Sequence, residues 1–242
     1  MKKGETAKID AAWWKKNKAR TLKSTGLEAA LKTCEKALKK AKTDTCGKPD
    51  IADALRELAN VDAVAKKAAG MCNKKLQGET LAALQTFRPL IQKETTLLTT
   101  KSARIDKELK VFSAAAKIVI SKLTAANRSI FALTKGMNEE AESAKAASGV
   151  SKQQIEIWTN LAKVGLRRAS DQAKAAEQAY KDYGKVGDGL SRNLYLGHSR
   201  EVVAIQRAAQ KARSDVERTF PDAKDAAGRL IKATKAARAT AV

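Results

Sequence analysis

One histidine, His198, and three cysteines, Cys34, Cys46 and Cys72, are the side chains of this chain best suited to nucleophilic or metal chemistry. A triad would need His198 to meet an acid and a nucleophile. Ser199 and Glu201 are its neighbours in sequence, but neighbours along a helix do not face one another. His198 therefore reads as a surface or partly buried histidine. One histidine and three scattered cysteines do not make a zinc site by spacing. The odd cysteine count and the lack of a Cys-x-x-Cys pair fit free thiols, with a Cys34–Cys46 bridge left open. Paired carboxylates such as Glu139-Glu140 sit in a polar run with no sign of a pocket to shift them. No catalytic residue, cofactor or metal ligand is assigned.

Two glycine-bearing stretches hold lysine, Gly47-Lys48-Pro49 and Gly184-Lys185-Val186-Gly187-Asp188-Gly189. Neither has the order of a phosphate loop or a preceding strand, so both read as turns. Arg167-Arg168-Ala169-Ser170 matches a short kinase pattern and Asn127-Arg128-Ser129 a glycosylation sequon. Both fall within helical stretches and carry no argument.

Charge is more informative. The chain has 48 Lys+Arg against 26 Asp+Glu, a formal charge of +22. Such an excess points to an acidic partner, an anionic surface or a solubility need. Trp13 and Trp14 are followed by Lys15, Lys16, Lys18, Arg20 and Lys23. Indole rings beside ammonium groups suit stacking on single-stranded bases with lysines on phosphates, or a membrane interface. The plainer reading has Trp13 anchoring a helix with Ile9 while the lysines stay solvated, and it leaves Trp14 without a task. A second basic patch, Arg229, Lys232, Lys235 and Arg238, recurs every three residues within one broad helical face. It matters only where it lies beside another basic patch.

The elements that carry these residues are helical. From Ile105 to Met137, steps of four and three land on Ile105, Leu109, Phe112, Ala116, Val119, Leu123, Ala126, Ile130, Leu133 and Met137. Every position is apolar, which predicts one helix with a heptad seam that partner helices cover. Shorter helices are expected over residues 5–20, after Gly26, and after the turn at Thr45–Asp50. Pro89 is expected to mark a boundary or kink. Ala146–Val150 reads as a reversal, and Ser151 with Gln154 as a capping box opening a helix that buries Ile155, Trp158, Ala162, Gly165, Ala169, Ala176 and Tyr183. Gly184–Gly189 reads as a second reversal. A last helix carries Val202, Ile205, Ala209, Ala212 and Val216, with Pro221 kinking it or starting another that carries Ala223, Ala227, Leu230 and Ala237.

These patterns predict an all-α protein: an elongated antiparallel helical bundle, or intramolecular coiled coil, with three long helices and a smaller N-terminal helical region. The expected division is a basic region of several short helices over 1–88 and the long-helix bundle over 89–242, or one continuous domain. The seam then has partners within the chain, in the faces around Ala162–Ala176 and Val202–Val216. No signal peptide or spanning segment is read, so a cytoplasmic location is expected. The function expected is a non-enzymatic binding or scaffold protein that holds an anionic partner, nucleic acid before membrane, without sequence specificity. The alternatives are a structural or assembly protein that self-associates through its helices, and a binder of anionic membrane surfaces.

Overall fold

The computed structural model describes residues 26–71 and 74–239, with the side chains of all but 68–88 and 90. Every regular element among them is a helix: α1 (Leu27–Ala41), α2 (Lys48–Met71), α3 (Lys74–Ala146), α4 (Lys152–Asp188), α5 (Arg192–Gly197) and α6 (Ser199–Ala239). The chain forms an all-α helical bundle that divides into two compact units. Among the described residues, one holds those up to Leu109 with Ser191–Ser199, and the other holds Lys110–Leu190 with Arg200–Ala239.

The second unit is three helical segments around one apolar seam. On α3 the buried residues are Phe112, Ala116, Val119, Leu123, Ala126, Ile130, Met137, Ala141 and Ala144. Leu133 is half-buried, as is Leu109 just before this unit. On α4 the buried row is Ile155, Trp158, Ala162, Gly165, Ala169, Ala176 and Tyr183. The contacts between these rows run in opposite order along the chain. Trp158 Nε1 donates to Glu140 at 2.7 Å, Gly165 lies against Met137, and the Tyr183 ring stacks on Phe112 with centroids 5.3 Å apart. α4 is therefore antiparallel to α3. A Cβ on Gly165 would stand 2.9 Å from Met137 Sδ, so the small residue is what lets the thioether in.

α6 returns parallel to α3. Thr219 Oγ1 donates to Asn127 Oδ1 at 2.6 Å, and Arg229 donates to Asn138 Oδ1 at 3.0 and 3.2 Å, in rising order on both helices. The reversal between α3 and α4 uses Gly149 at φ 71°, a backbone region that glycine enters without steric cost. Ser151 then caps α4 by accepting from Gln154 N at 3.2 Å.

The first unit packs α1 on α2 and closes with α5. Buried Leu27, Ala30, Cys34 and Ala41 of α1 share its core with Ile51, Ala54, Leu58, Val61 and Ala65 of α2. Ile105 is buried, as is Leu98 one heptad earlier. The turn before α2 meets the end of α5 so closely that a Cβ on Gly47 would lie 2.9 Å from the Leu196 carbonyl carbon. Buried Asn193, in the amide orientation its surroundings satisfy, donates to the carbonyls of Asp44 and Cys46. Cys34 and Cys46 are both free thiols, so no bridge joins them.

Three helix boundaries that residue type allowed are absent. α3 passes through Pro89 and α6 through Pro221. A proline inside a helix costs about 3 kcal/mol, but each of these is exposed and stands in a helix of many turns. Around Pro221 the buried row runs from Val216 to Ala223 and on to Leu230, so both sides stay packed in the core. Gly184 and Gly187 lie inside α4, so the second reversal begins only at Gly189, whose N–H bonds Lys185 O at 3.3 Å. Buried Tyr183 carries the helix across the glycines.

Candidate polyanion interface

Five cations share one stripe of α4. Lys163, Arg167, Lys174, Lys181 and Lys185 follow at steps of 4, 7, 7 and 4 residues. At about 100° per residue these steps return to one side of the helix, roughly 33 Å long from first to last. All five are exposed, on the side away from the buried row. The stripe leans toward α6. Arg213 of α6 reaches Glu177 at 3.1 Å, and Arg238 faces Lys152 and Lys163 across a cleft. These pairings run in reverse order, so α6 is antiparallel to α4.

The cleft has a volume of about 590 Å³ and is lined by Lys152, Ile155, Glu156, Thr159, Asn160, Lys163 and Arg238. Three cations there face one carboxylate. The first turn of α4 also opens at Lys152, where the helix dipole favours an anion. Lys224 and Lys235 lie on the same side of α6 by helical phase. Lys224 Nζ sits 4.7 Å above the Phe220 ring. Phe220 lines a smaller pocket farther along the same α4–α6 groove, with Arg213, Val216 and Glu217. Some charge on this face is already compensated. Arg213 pairs with Glu177 and Glu217, Lys181 approaches Glu177 at 3.9 Å, and Lys185 bonds Asp182 at 3.0 Å. The Lys185 bond, with help from Gln178 and the Lys122 charge, holds the Asp182 carboxyl below the usual carboxylate value.

The four C-terminal cations do not share one face. Steps of three fall back about 60° each, so Arg229 and Arg238 end up half a turn apart. Arg229 turns to Asn138 of α3, Arg238 lines the α4 cleft, and exposed Lys232 stands between. Lys235 and Arg238 thereby join a second basic patch that their own spacing does not reveal. Trp14, Lys15, Lys16, Lys18, Arg20 and Lys23 lie outside the described residues.

A second cationic face lies where α3 meets α6. Exposed Lys110, Lys117, Arg128 and Lys135 occupy the outer side of α3 that leans toward Asn127 and Asn138. Exposed Arg200, Arg207, Lys211 and Arg218 follow on α6 at steps of 7, 4 and 7, on the side that Arg229 shares. Acids thin this face toward its far end: Asp215, Asp222 and Asp225 on α6, Glu139 and Glu142 on α3. Lys135 pairs with Glu139 at 3.7 Å and Arg218 with Asp215 at 3.4 Å. The remaining side of the unit, between α3 and α4, differs in kind. It exposes Val111, Ile118, Ile157 and Val164, each about half accessible, whereas exposed Phe131 lies on the α3–α6 side, one turn from Asn127.

In the first unit His198 has a structural setting. Its Nε2 lies 3.2 Å from Asp106 Oδ1, which also accepts from Lys48 Nζ at 2.8 Å. The Lys48 hydrogen bond, aided by its charge and by His198, holds the Asp106 carboxyl below the usual value. Nearby, Ser191 Oγ donates to Glu108 Oε2 at 2.5 Å, and Lys101 Nζ donates to the carbonyls of Ala41 and Thr43. These bonds fasten the 42–48 turn and the 191–198 segment to α3. Among the described residues no three of His, Cys, Asp or Glu stand together to hold a metal ion, and no helix is long and apolar enough to cross a membrane.

Comparison with known proteins yields no relative: no family model, no curated protein and no solved structure matches the chain.

Proposed function

We propose that this chain is a non-enzymatic binding protein for anionic polymers, nucleic acid first, held through phosphates and without sequence preference. The observation that carries the reading is the cleft where Arg238 of α6 meets Lys152 and Lys163 of α4, at one end of the cation stripe Lys163–Lys185. A row of exposed Lys and Arg along a helix meets regularly spaced phosphates and ignores base edges. The basic N-terminal segment, with Lys15, Lys16, Lys18, Arg20 and Lys23, would add attraction, and Trp14 a stacking contact. The Lys48–Asp106–His198 cluster is read as a fastening rather than a catalytic site. The test is retention of a generic duplex as salt rises. Affinity should fall steeply, with a log–log slope of about −0.9 per phosphate contacted. A flat salt response would contradict the reading.

A second reading, self-association through helices, is favoured by one observation. The α3–α4 side is the least basic of the three and exposes Val111, Ile118, Ile157 and Val164. It would make the chain an assembly protein whose charge serves solubility.

A further inference from the structure

We infer that the second unit bridges two separate polynucleotide segments, one on each of its two cationic faces. The inference rests on the proposed phosphate-binding function and goes beyond it, because binding alone needs one face. The α4–α6 face carries Lys163, Arg167 and Lys174. The α3–α6 face carries Lys117, Arg207 and Lys211. All six are exposed.

The two faces are separated on α6 itself. Arg213 and Arg238 point to α4, whereas Thr219 and Arg229 point to α3. Between these two sides run Val203, Gln210, Ser214, Pro221 and Gly228, an outward stripe whose one charge is exposed Lys232 near the end of α6. One duplex laid along the α4 stripe therefore meets a ridge with a single cation, Lys232, before it reaches the second face. The α4 stripe is roughly 33 Å long, close to one turn of a duplex at about 34 Å. A polyanion covering one face leaves the cations of the other to attract a second. The third side of the unit exposes Val111, Ile118, Ile157 and Val164, with Lys122 offset by Asp182.

The experiment uses the full chain and two random-sequence DNA duplexes, one fixed on beads and one fluorescent and free. Wild-type protein should carry the fluorescent duplex to the beads. Capture should rise and then fall as protein is added, because excess protein saturates each duplex separately. Two variants remove one face each: Lys163→Gln/Arg167→Gln/Lys174→Gln and Lys117→Gln/Arg207→Gln/Lys211→Gln. Each should still bind a single duplex, while capture drops at least ~10-fold through lost bivalency. An Ile118→Glu variant should capture as well as wild type. Unchanged capture in either face variant overturns the inference. So does single-duplex binding by wild type without capture. Loss of capture in Ile118→Glu also overturns it, because bridging would then run through paired copies. If wild type binds no duplex at all, the proposed function itself fails, which is a distinct result.

Discussion

The Thr219 hydroxyl donates to Asn127 Oδ1 at 2.6 Å, and this pair helps fix the parallel register of α3 and α6. The register decides which cations share a face. The Thr219 oxygen also lies 3.0 Å from Asp215 O and 3.3 Å from Val216 O, so its proton has backbone acceptors in reserve.

Asn127→Ala removes one hydrogen bond and leaves Thr219 Oγ1 satisfied within its own helix. The expected loss is about 1 kcal/mol of unfolding free energy, read from urea denaturation. An unchanged midpoint would remove the pair from the account of register.

Gly197→Ala is expected to be worse. The new Cβ would stand 2.9 Å from both the backbone N and the Cβ of Lys48, where α5 meets the turn before α2. Backbone must shift, at a cost of about 1–3 kcal/mol. Gly184→Ala is the matched contrast, since its Cβ would meet nothing within 4 Å. It should stabilise by roughly 0.5–1 kcal/mol, as Gly→Ala does inside a helix. Equal effects at the two sites would contradict the close approach of Gly197 and Lys48.

Asp106 gives the fold a dependence on acid. Its folded pKa is lowered by Lys48 first and His198 after. The contribution is therefore complete above the unfolded value of about 3.9 and is lost as pH falls through the lower folded value. Wild type should lose stability more steeply than Asp106→Asn below about pH 4. Parallel curves for the two proteins in that window would contradict the assignment. The size should be small, because both partners are about two-fifths exposed.

If the α3–α4 side joins copies of the chain, sedimentation across concentration should show a dimer that Ile118→Glu dissolves. A monomer at every concentration would dismiss the assembly reading and leave Val111, Ile118, Ile157 and Val164 as ordinary surface apolar residues.

The helices were legible because apolar steps of four and three survive in one dimension. The α4 row from Ile155 to Tyr183 is buried as its spacing implies. Breakers were harder to read. Pro89, Gly184, Gly187 and Pro221 carry a local penalty, but the buried rows on either side of Pro221 and beside Gly184 outweigh it. The candidate interface was only half legible. Arg229, Lys232, Lys235 and Arg238 look like a unit in sequence, yet a three-residue step spreads them around α6. The steps of 4, 7, 7 and 4 from Lys163 to Lys185 were a usable signal, because they mark a cationic stripe in the way apolar steps mark a core. The meeting of Arg238 with Lys152 and Lys163 depends on the antiparallel register of α4 and α6, which no local pattern specifies.

Charge placement, as distinct from total charge, is the central claim, and salt-dependent duplex binding tests it most directly. Lys163→Gln/Arg167→Gln/Lys174→Gln is compared with Lys32→Gln/Lys36→Gln/Lys39→Gln, which removes three exposed cations from α1 instead. Both variants lose the same net charge. The account predicts that the α4 variant lowers the magnitude of the log–log salt slope by about 2–3, while the α1 variant changes it by less than ~0.5. Equal changes in the two variants would mean that the duplex responds to net charge alone, and the α4–α6 interface would be contradicted.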